Sequence, residues 1–344
     1  MKVSAYLPGR LSFFIVMGIV SLPCMMIFAT SVGDMPVSLA NTARAIMNGL
    51  GVTNYPLPPV EEGIIWQYRM SRTLMAACSG GGLALCGLVL QALLRNPLAD
   101  PYLLGISAGA STGAVSVMLL GLGGGILTVG SGAFTGACAA FVLIMLLSGG
   151  MRDNAGRIIL AGVAGTQLFN ALTAYIVSTS ANAEQSRSVM FWLLGSLSGV
   201  RWPDALLGLL ITASGLLVVI CYARSLDTFT MGEEIASTLG TPVAWVRVIL
   251  LLTTALMTAV IVSSIGAVGF VGLVIPHVTR LFSGSKHLVS IPVTFLVGGH
   301  FMILADLVSR TLITHQVLPV GVVTALIGAP AFAFILFQNR GKTV

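Results

Sequence analysis

The chain has 344 residues, of which 56% are hydrophobic and only 8% are charged, and its formal net charge is +6. Soluble domains carry about 25% charged residues, so this composition excludes a water-soluble fold of the same length. The basic residues stand singly between apolar runs, without the patch that nucleic-acid binding requires, and the apolar runs lack the period-two alternation of a membrane β-barrel. The sequence therefore predicts an all-α polytopic membrane protein, with one transmembrane domain over residues 1–344.

Apolar runs of the length that spans a bilayer, about 20 residues, predict some ten helices. The first run is too long for a signal peptide and is interpreted as an uncleaved helix. The eighth is too short to cross and predicts a half-helix buried in the bundle, where irregular backbone is tolerated. The runs cover residues 11–31, 72–94, 103–120, 126–148, 157–178, 203–222, 243–262, 270–282, 288–310 and 319–337.

The positions of the basic residues predict the orientation. When the N-terminus is placed inside and the spans alternate, most of the 17 Lys and Arg residues fall on the inner side. Because cytoplasmic loops are enriched in Lys and Arg, both termini are expected in the cytoplasm. The longest outer segment is then 32–71 and the longest inner segment 223–242, where a short helix from Thr228 to Leu239, ended by Gly240, is expected.

The sequence gives no sign of catalysis. A phosphate-binding GxxxxGK[ST] loop ending in Lys342 would need glycine at position 336, which is Leu336. No GxSxG, HExxH or paired-carboxylate arrangement occurs, and the cysteines and histidines are too scattered to predict a metal site. We therefore expect no enzymatic activity, no metal and no cofactor on this chain, and an energy source supplied by a partner or an ion gradient.

Three local patterns carry structural expectations. Gly105, Gly109 and Gly113 recur every four residues and predict a close helix crossing. Asp306 and Arg310 stand four residues apart, which permits an ion pair. The fifth span has a polar face, which either bonds a neighbouring helix or lines a water-filled path, and both interpretations remain open; its residues are Thr166, Gln167, Asn170 and Thr173.

Several motifs in order along the chain resemble those of the FecCD family, the permeases of ABC importers for ferric siderophores, haem and cobalamin. The resemblance runs from about residue 69 to residue 330. Its motifs are Arg69-x-x-Arg72, Leu90-Gln91, Arg95-Asn-Pro-Leu-Ala99, Leu104-Gly-Ile-Ser-Ala-Gly109, Gly269-Phe-Val-Gly-Leu273 with Pro276-His277 and Arg280, Asp306 with Arg310, and Leu318-Pro319-Val-Gly321 through Gly328-Ala-Pro330.

The resemblance implies a ten-helix subunit of the type II importer class in a bacterial inner membrane. It implies a second permease subunit, in a homodimer, two cytoplasmic ATPase subunits that bind ATP, and a periplasmic substrate-binding protein. The implied function is transfer of an iron chelate (a ferric siderophore or haem) or cobalamin into the cytoplasm. The alternative, an ion-coupled secondary transporter, is disfavoured because that class uses intramembrane carboxylates, which are scarce here.

The resemblance also assigns residues to roles. It favours the path over helix contact for the polar residues of the fifth span, Thr166, Gln167, Asn170 and Thr173. Three arginines are expected to dock the binding protein, because guanidinium groups hold carboxylates well: Arg69, Arg72 and Arg310. The segment from 227 to 240 is expected to contact the ATPase and respond to it, through Asp227, Glu233, Glu234, Leu239 and Gly240.

Overall fold

The computed structural model describes residues 8–33, 35, 37–150, 155–313 and 316–339. In this part of the chain there are fifteen α-helices, and the only β-pairing is an isolated bridge between Ile313 and Gln316. The helices are α1 (Pro8–Ser31), α2 (Leu39–Gly49), α3 (Pro59–Gly63), α4 (Ser71–Leu93), α5 (Ile106–Leu120), α6 (Val129–Leu147), α7 (Ala155–Ser180), α8 (Ala183–Leu193), α9 (Trp202–Cys221), α10 (Ala223–Met231), α11 (Glu233–Thr238), α12 (Val243–Ile265), α13 (Val271–Ser283), α14 (His287–Thr311) and α15 (Val320–Asn339).

The all-α membrane class predicted from composition is confirmed. Six helical stretches are long and apolar enough to cross a membrane, and four shorter apolar helices accompany them in the described residues. These correspond in order to the ten predicted runs. The total number of helices is larger than ten because five short ones, α2, α3, α8, α10 and α11, form in the connections between the apolar stretches.

Helix α4 forms the centre of the bundle. Nearly all of its side chains are buried, and it packs against α9, α12, α13 and α14. Its contact with α14 is close because glycines face each other: a Cβ atom at Gly80 would overlap the carbonyl of Gly298, and one at Gly298 would overlap Gly80. The backbones of α4 and α14 therefore touch, as small residues allow in membrane bundles.

The predicted half-helix is α13, which is only 13 residues long and is preceded by non-helical residues 266–270. Phe270 adopts a left-handed backbone (φ 69°), which is rare for a residue other than glycine. Tyr102 holds this segment in place, since its Oη donates to the carbonyl of Val268 at 2.9 Å and accepts from the backbone N–H of Val268 at 2.8 Å. The irregular backbone is thus satisfied by hydrogen bonds inside the protein.

The prediction of a single helix from Thr228 to Leu239 is wrong. Helices α10 and α11 divide this segment at Gly232, whose φ of 117° and ψ of 153° cannot continue a helix. Only glycine adopts that conformation readily, so the residue type at this position permits the break. The second helix does end before Gly240, which has a φ of 82° as a helix-terminating glycine commonly does.

We call the end of the bundle where α1 ends and α4 begins the outer end, and the end that carries α10 and α11 the inner end. The extreme termini, for which the charge pattern predicts a cytoplasmic location, include residues 1–7 and 340–344. They lie outside the described residues, as does the basic tail that contains Lys342.

Candidate functional site

An ion cluster lies at the outer end, centred on the buried carboxylate of Asp306. Arg72 of α4 contacts Asp306 Oδ1 with Nε and Nη2, both at 2.8 Å, and Arg310 Nε lies 3.2 Å from Oδ2. The side chains are 1% exposed for Asp306, 8% for Arg310 and 13% for Arg72. The predicted pair of Asp306 and Arg310 is therefore present, and Arg72 from another helix completes it as a triad.

Arg310 and a further arginine, Arg69, stabilise the outer end of α1. Arg310 donates to the carbonyls of Ala29 and Val32, both at 2.7 Å, and Arg69 donates to those of Thr30 and Ser31 at 3.3 and 3.2 Å. The last carbonyls of a helix lack intrahelical partners and carry partial negative charge, so guanidinium groups stabilise this end. The cluster ties α1, α4 and α14 together.

These contacts change the interpretation of the three predicted docking residues. The guanidinium of Arg310 is buried, donates to α1 and pairs with Asp306, so direct contact with another protein would require it to leave both. Arg72 is nearly as enclosed and also reaches Ser198 Oγ at 3.3 Å. Arg69 is half-buried and donates to the Met35 carbonyl at 2.7 Å. Docking through these residues stays a prediction, and their internal bonds give all three a structural role.

The outer surface carries other arginines that the sequence motifs did not single out. Arg44, Arg187 and Arg201 are exposed. The Arg201 guanidinium lies 4.5 Å from the centre of the Tyr68 ring, which is the geometry of a cation–π contact. Nothing in the local sequence distinguishes these arginines from buried ones.

The four polar residues of α7 do not share one environment. Gln167 and Asn170 are exposed and Thr166 is half-buried, whereas Thr173 is 7% exposed. Thr173 Oγ1 lies 2.9 Å from Thr112 Oγ1 of α5. Thr173 therefore bonds a neighbouring helix, the first of the two interpretations left open by the sequence, while Gln167 and Asn170 remain available to line a path.

A recess of about 440 Å³ borders Thr166 and Gln167 and extends to the loop before α5. Its wall includes Asp100, Tyr102 and Phe270, none of which the sequence pattern assigned to a path. Asp100 accepts a hydrogen bond from the backbone N–H of Tyr102 at 2.9 Å. Burial raises the pKa of the Asp100 carboxyl to about 6, against the opposing effect of that hydrogen bond.

The glycines expected at a helix crossing lie between α5 and α6. A Cβ atom at Gly109 would overlap the carbonyl of Gly136, and one at Gly113 would overlap that of Gly132. Gly105 differs from them, because it is the left-handed residue (φ 67°) that precedes α5. The four-residue spacing thus combines two packing positions with one helix-start position.

At the inner end, the five predicted coupling residues fall into two groups. Glu234, Leu239 and Gly240 are exposed. Asp227 and Glu233 instead pair with buried cationic or polar groups: Glu233 forms a salt bridge with Arg247, and Asp227 contacts His287 at 2.7 Å.

Three large apolar side chains are exposed beside the outward-facing coupling residues. Met231, Ile235 and Trp245 have exposed fractions of 59%, 48% and 60%, and Leu239 has 62%. The sequence did not indicate Met231, Ile235 and Trp245, because apolar residues near membrane helices are usually expected to contact lipid or to lie in the protein core. Met231 and Ile235 lie in the short helices α10 and α11, and Trp245 lies in the first turn of α12. Together with their charged neighbours they form a surface suited to a protein partner.

Among the described residues, no group of three or more His, Cys, Asp or Glu side chains is arranged to hold a metal ion.

The comparisons with known proteins place this chain in a family. Residues 20–338 match the model of the FecCD transport family. The cobalamin import system permease protein BtuC of Halobacterium salinarum is 38% identical over 293 residues, covering 84% of this chain and 78% of that protein. The vitamin B12 import system permease protein BtuC of Klebsiella pneumoniae is 39% identical over 284 residues, covering 81% of this chain and 83% of that protein.

A solved structure agrees with this placement. The inward-facing conformation of a metal-chelate type ABC transporter superposes with a TM-score of 0.82 at 28% sequence identity, covering 94% of this chain and 98% of the other. These similarities support the importer interpretation and not the ion-coupled alternative. The chain belongs to the FecCD transport family and is a multi-pass membrane permease of the ABC importer class.

Proposed function

We propose that this chain is one of two identical permease subunits that pass a corrinoid or an iron chelate from the periplasm to the cytoplasm. Cobalamin and vitamin B12 are the compounds named for the similar permeases, and a metal chelate is named for the similar structure. The 344 residues act as one transmembrane domain with both termini in the cytoplasm. The chain itself binds no cofactor and hydrolyses no ATP. A separate ATPase subunit binds and hydrolyses the ATP.

The observation that carries this proposal is the uncovered face of α7. Leu160, Val163 and Tyr175 are exposed together with the amides of Gln167 and Asn170. Amide side chains in contact with lipid are costly unless they are hydrogen-bonded, so this face is not suited to the bilayer. A second copy of the subunit would cover the apolar part of this face, and a water-filled path between the two copies would hydrate the polar part.

The inner surface supports the proposed ATPase contact. Ile235 and Leu239 expose apolar area next to the free carboxylate of Glu234. Apolar side chains that are ringed by charges are typical of a protein interface, where the apolar centre loses water and the rim stays polar. We assign the exposed part of 231–245 to this contact, with Asp227 and Glu233 holding it to the bundle.

The outer surface supports docking of a substrate-binding protein. Exposed Arg44, Arg187 and Arg201 create positive potential that would steer an acidic partner. The predicted contacts through Arg69, Arg72 and Arg310 remain part of the proposal, with Arg72 and Arg310 acting mainly by fixing the shape of the surface.

The test is reconstitution of the chain in proteoliposomes with its partner ATPase and substrate-binding protein. Uptake of radiolabelled cyanocobalamin, a ferric hydroxamate siderophore and haem is measured with ATP and with a non-hydrolysable analogue inside the vesicles. ATP-dependent uptake of one of these compounds supports the proposal. Uptake that needs no ATPase and collapses with an uncoupler would contradict it.

A further inference from the structure

The inner segment is attached to the long helix α14 through one carboxylate. Asp227 Oδ1 accepts a hydrogen bond from the backbone N–H of His287 at 2.9 Å and lies 2.7 Å from the Nδ1 atom of the same residue. Asp227 is 34% exposed and His287 is 3% exposed. One side chain on α10 thus holds both the backbone and the side chain of the first residue of α14.

This contact replaces a cap that α14 lacks. The residue before the helix, Lys286, provides no side-chain hydrogen bond to the first turn. The first N–H groups of a helix have no intrahelical partner and carry partial positive charge, so the carboxylate of Asp227 stabilises them by a hydrogen bond and by the helix dipole. Pro292 removes a backbone hydrogen bond in the next turn, so the start of α14 depends more on this external support.

The orientation of His287 is determined by the same contact. Its Nε2 atom is buried and has no hydrogen-bond partner within the described residues. The Nδ1 atom therefore makes the polar contact of the side chain, with Asp227, and a substitution of the imidazole at position 287 changes that contact alone.

The far end of α14 belongs to the outer ion cluster. Asp306 and Arg310 lie about 28 Å or more along the helix from His287, at a rise of 1.5 Å per residue. Between the two ends, α14 packs directly on α4 at Gly80 and Gly298. A single helix thus joins the Asp227 contact at the inner end to the cluster that fixes α1 and Arg72 at the outer end.

We infer that Asp227 and His287 are positioning residues that transmit movement of the inner segment to α14 and hence to the outer ion cluster. This inference rests on the proposed function, because the movement is supplied by the ATPase bound to that segment. It differs from the sequence-based assignment of Asp227 to the ATPase surface: Asp227 faces the bundle and leaves the ATPase contact to its exposed neighbours.

The experiment uses the complete reconstituted complex and compares the variants Asp227→Ala, His287→Leu and their combination. It measures copurification of the ATPase, the rate of ATP hydrolysis, and the ATP consumed per molecule taken up, with cyanocobalamin or a ferric hydroxamate as the probe. Each single variant is expected to raise the ATP consumed per molecule by about 10-fold, and the double variant by the same factor, since the two residues form one link. Copurification of the ATPase is expected to stay unchanged.

Two controls separate this link from general damage. His287→Asn places an amide nitrogen near the position of Nδ1 and is expected to recover the wild-type ratio within about two-fold. Glu184→Gln removes an exposed carboxylate at the outer helix α8 and is expected to have no effect. A folding defect would lower hydrolysis and uptake together and leave their ratio unchanged, which would overturn the inference.

Two further outcomes would also overturn it. One is an unchanged ratio in both single variants while the ATPase remains bound. The other is loss of the ATPase in His287→Leu, which would make the pair a support for the docking surface only. Failure of the wild-type chain to copurify with the ATPase would instead contradict the proposed function itself, and with it the inference.

Discussion

At the outer end, the ion cluster of Arg72, Asp306 and Arg310 is buried inside the protein, whereas at the inner end exposed apolar side chains lie beside a carboxylate that also stays exposed. Asp306 lies between two arginines and is almost inaccessible. Ile235 and Leu239 expose large apolar areas beside the free Glu234. Charge alone therefore does not identify a partner surface in a membrane protein, since the charged residues of the outer ion cluster hold three helices together.

The largest effect is expected from Asp306→Ala, which leaves Arg72 and Arg310 buried without their shared carboxylate. Removing one partner of a buried ion pair typically costs about 3–5 kcal/mol. The free energy of unfolding in detergent should fall by this amount, as followed by helical content in denaturant. Glu184→Ala, at an exposed carboxylate, serves as the control. A loss below about 1 kcal/mol would mean that the cluster is a solvated surface pair.

A change at the inner end should affect assembly instead of stability. Leu239→Asp places a carboxylate in the exposed apolar surface, where the proposed ATPase contact excludes water. ATPase copurification should fall by about 10-fold or more, while the free energy of unfolding changes by less than about 0.5 kcal/mol. Leu50→Asp, at an equally exposed leucine of the outer end, should leave copurification intact. If both variants lose the ATPase equally, the inner surface is not specific.

A smaller effect is expected from Arg201→Glu at the outer surface. Reversal of an exposed charge should weaken binding of the substrate-binding protein by about 3–10-fold at low salt and less at high salt. Surface plasmon resonance with the permease in nanodiscs measures this directly. Arg201→Lys keeps the charge and should bind within about two-fold of wild type. Binding that is independent of salt in all three proteins would remove the electrostatic account of docking.

The smallest effect concerns Asp100 beside the α7 recess. Because the folded state raises the pKa of this carboxyl from 3.8 to about 6, the folded protein binds the proton more tightly than the unfolded chain. The wild type therefore loses stability as pH rises through this window and keeps the deficit above it.

Asp100→Asn removes the titration and retains an acceptor for the Tyr102 N–H. The thermal midpoint of this variant, relative to wild type, should be a few degrees higher at about pH 7.5 than at about pH 4.5. An equal difference at the two pH values would show that Asp100 is solvated in the native protein.

Regular elements were largely predictable because burial in lipid requires long apolar runs. The ten runs, the short α13 and the end of the inner segment near Gly240 all follow from hydropathy and helix-stop signals. The break at Gly232 was missed because a glycine permits a φ of 117° without requiring it, and an isolated glycine is tolerated inside a helical pattern.

The sequence by itself determined that the chain is a helical membrane protein, which family its motifs resemble, and that Asp306 and Arg310 are spaced for pairing. Only the tertiary structure decided that Arg72 joins that pair across 234 residues of sequence, that Thr173 bonds α5 while Gln167 stays exposed, and that Asp227 contacts His287. The physical reason is that hydropathy is a property of each segment, whereas the partner of a charge depends on which segments the packing of glycine-rich helices brings together.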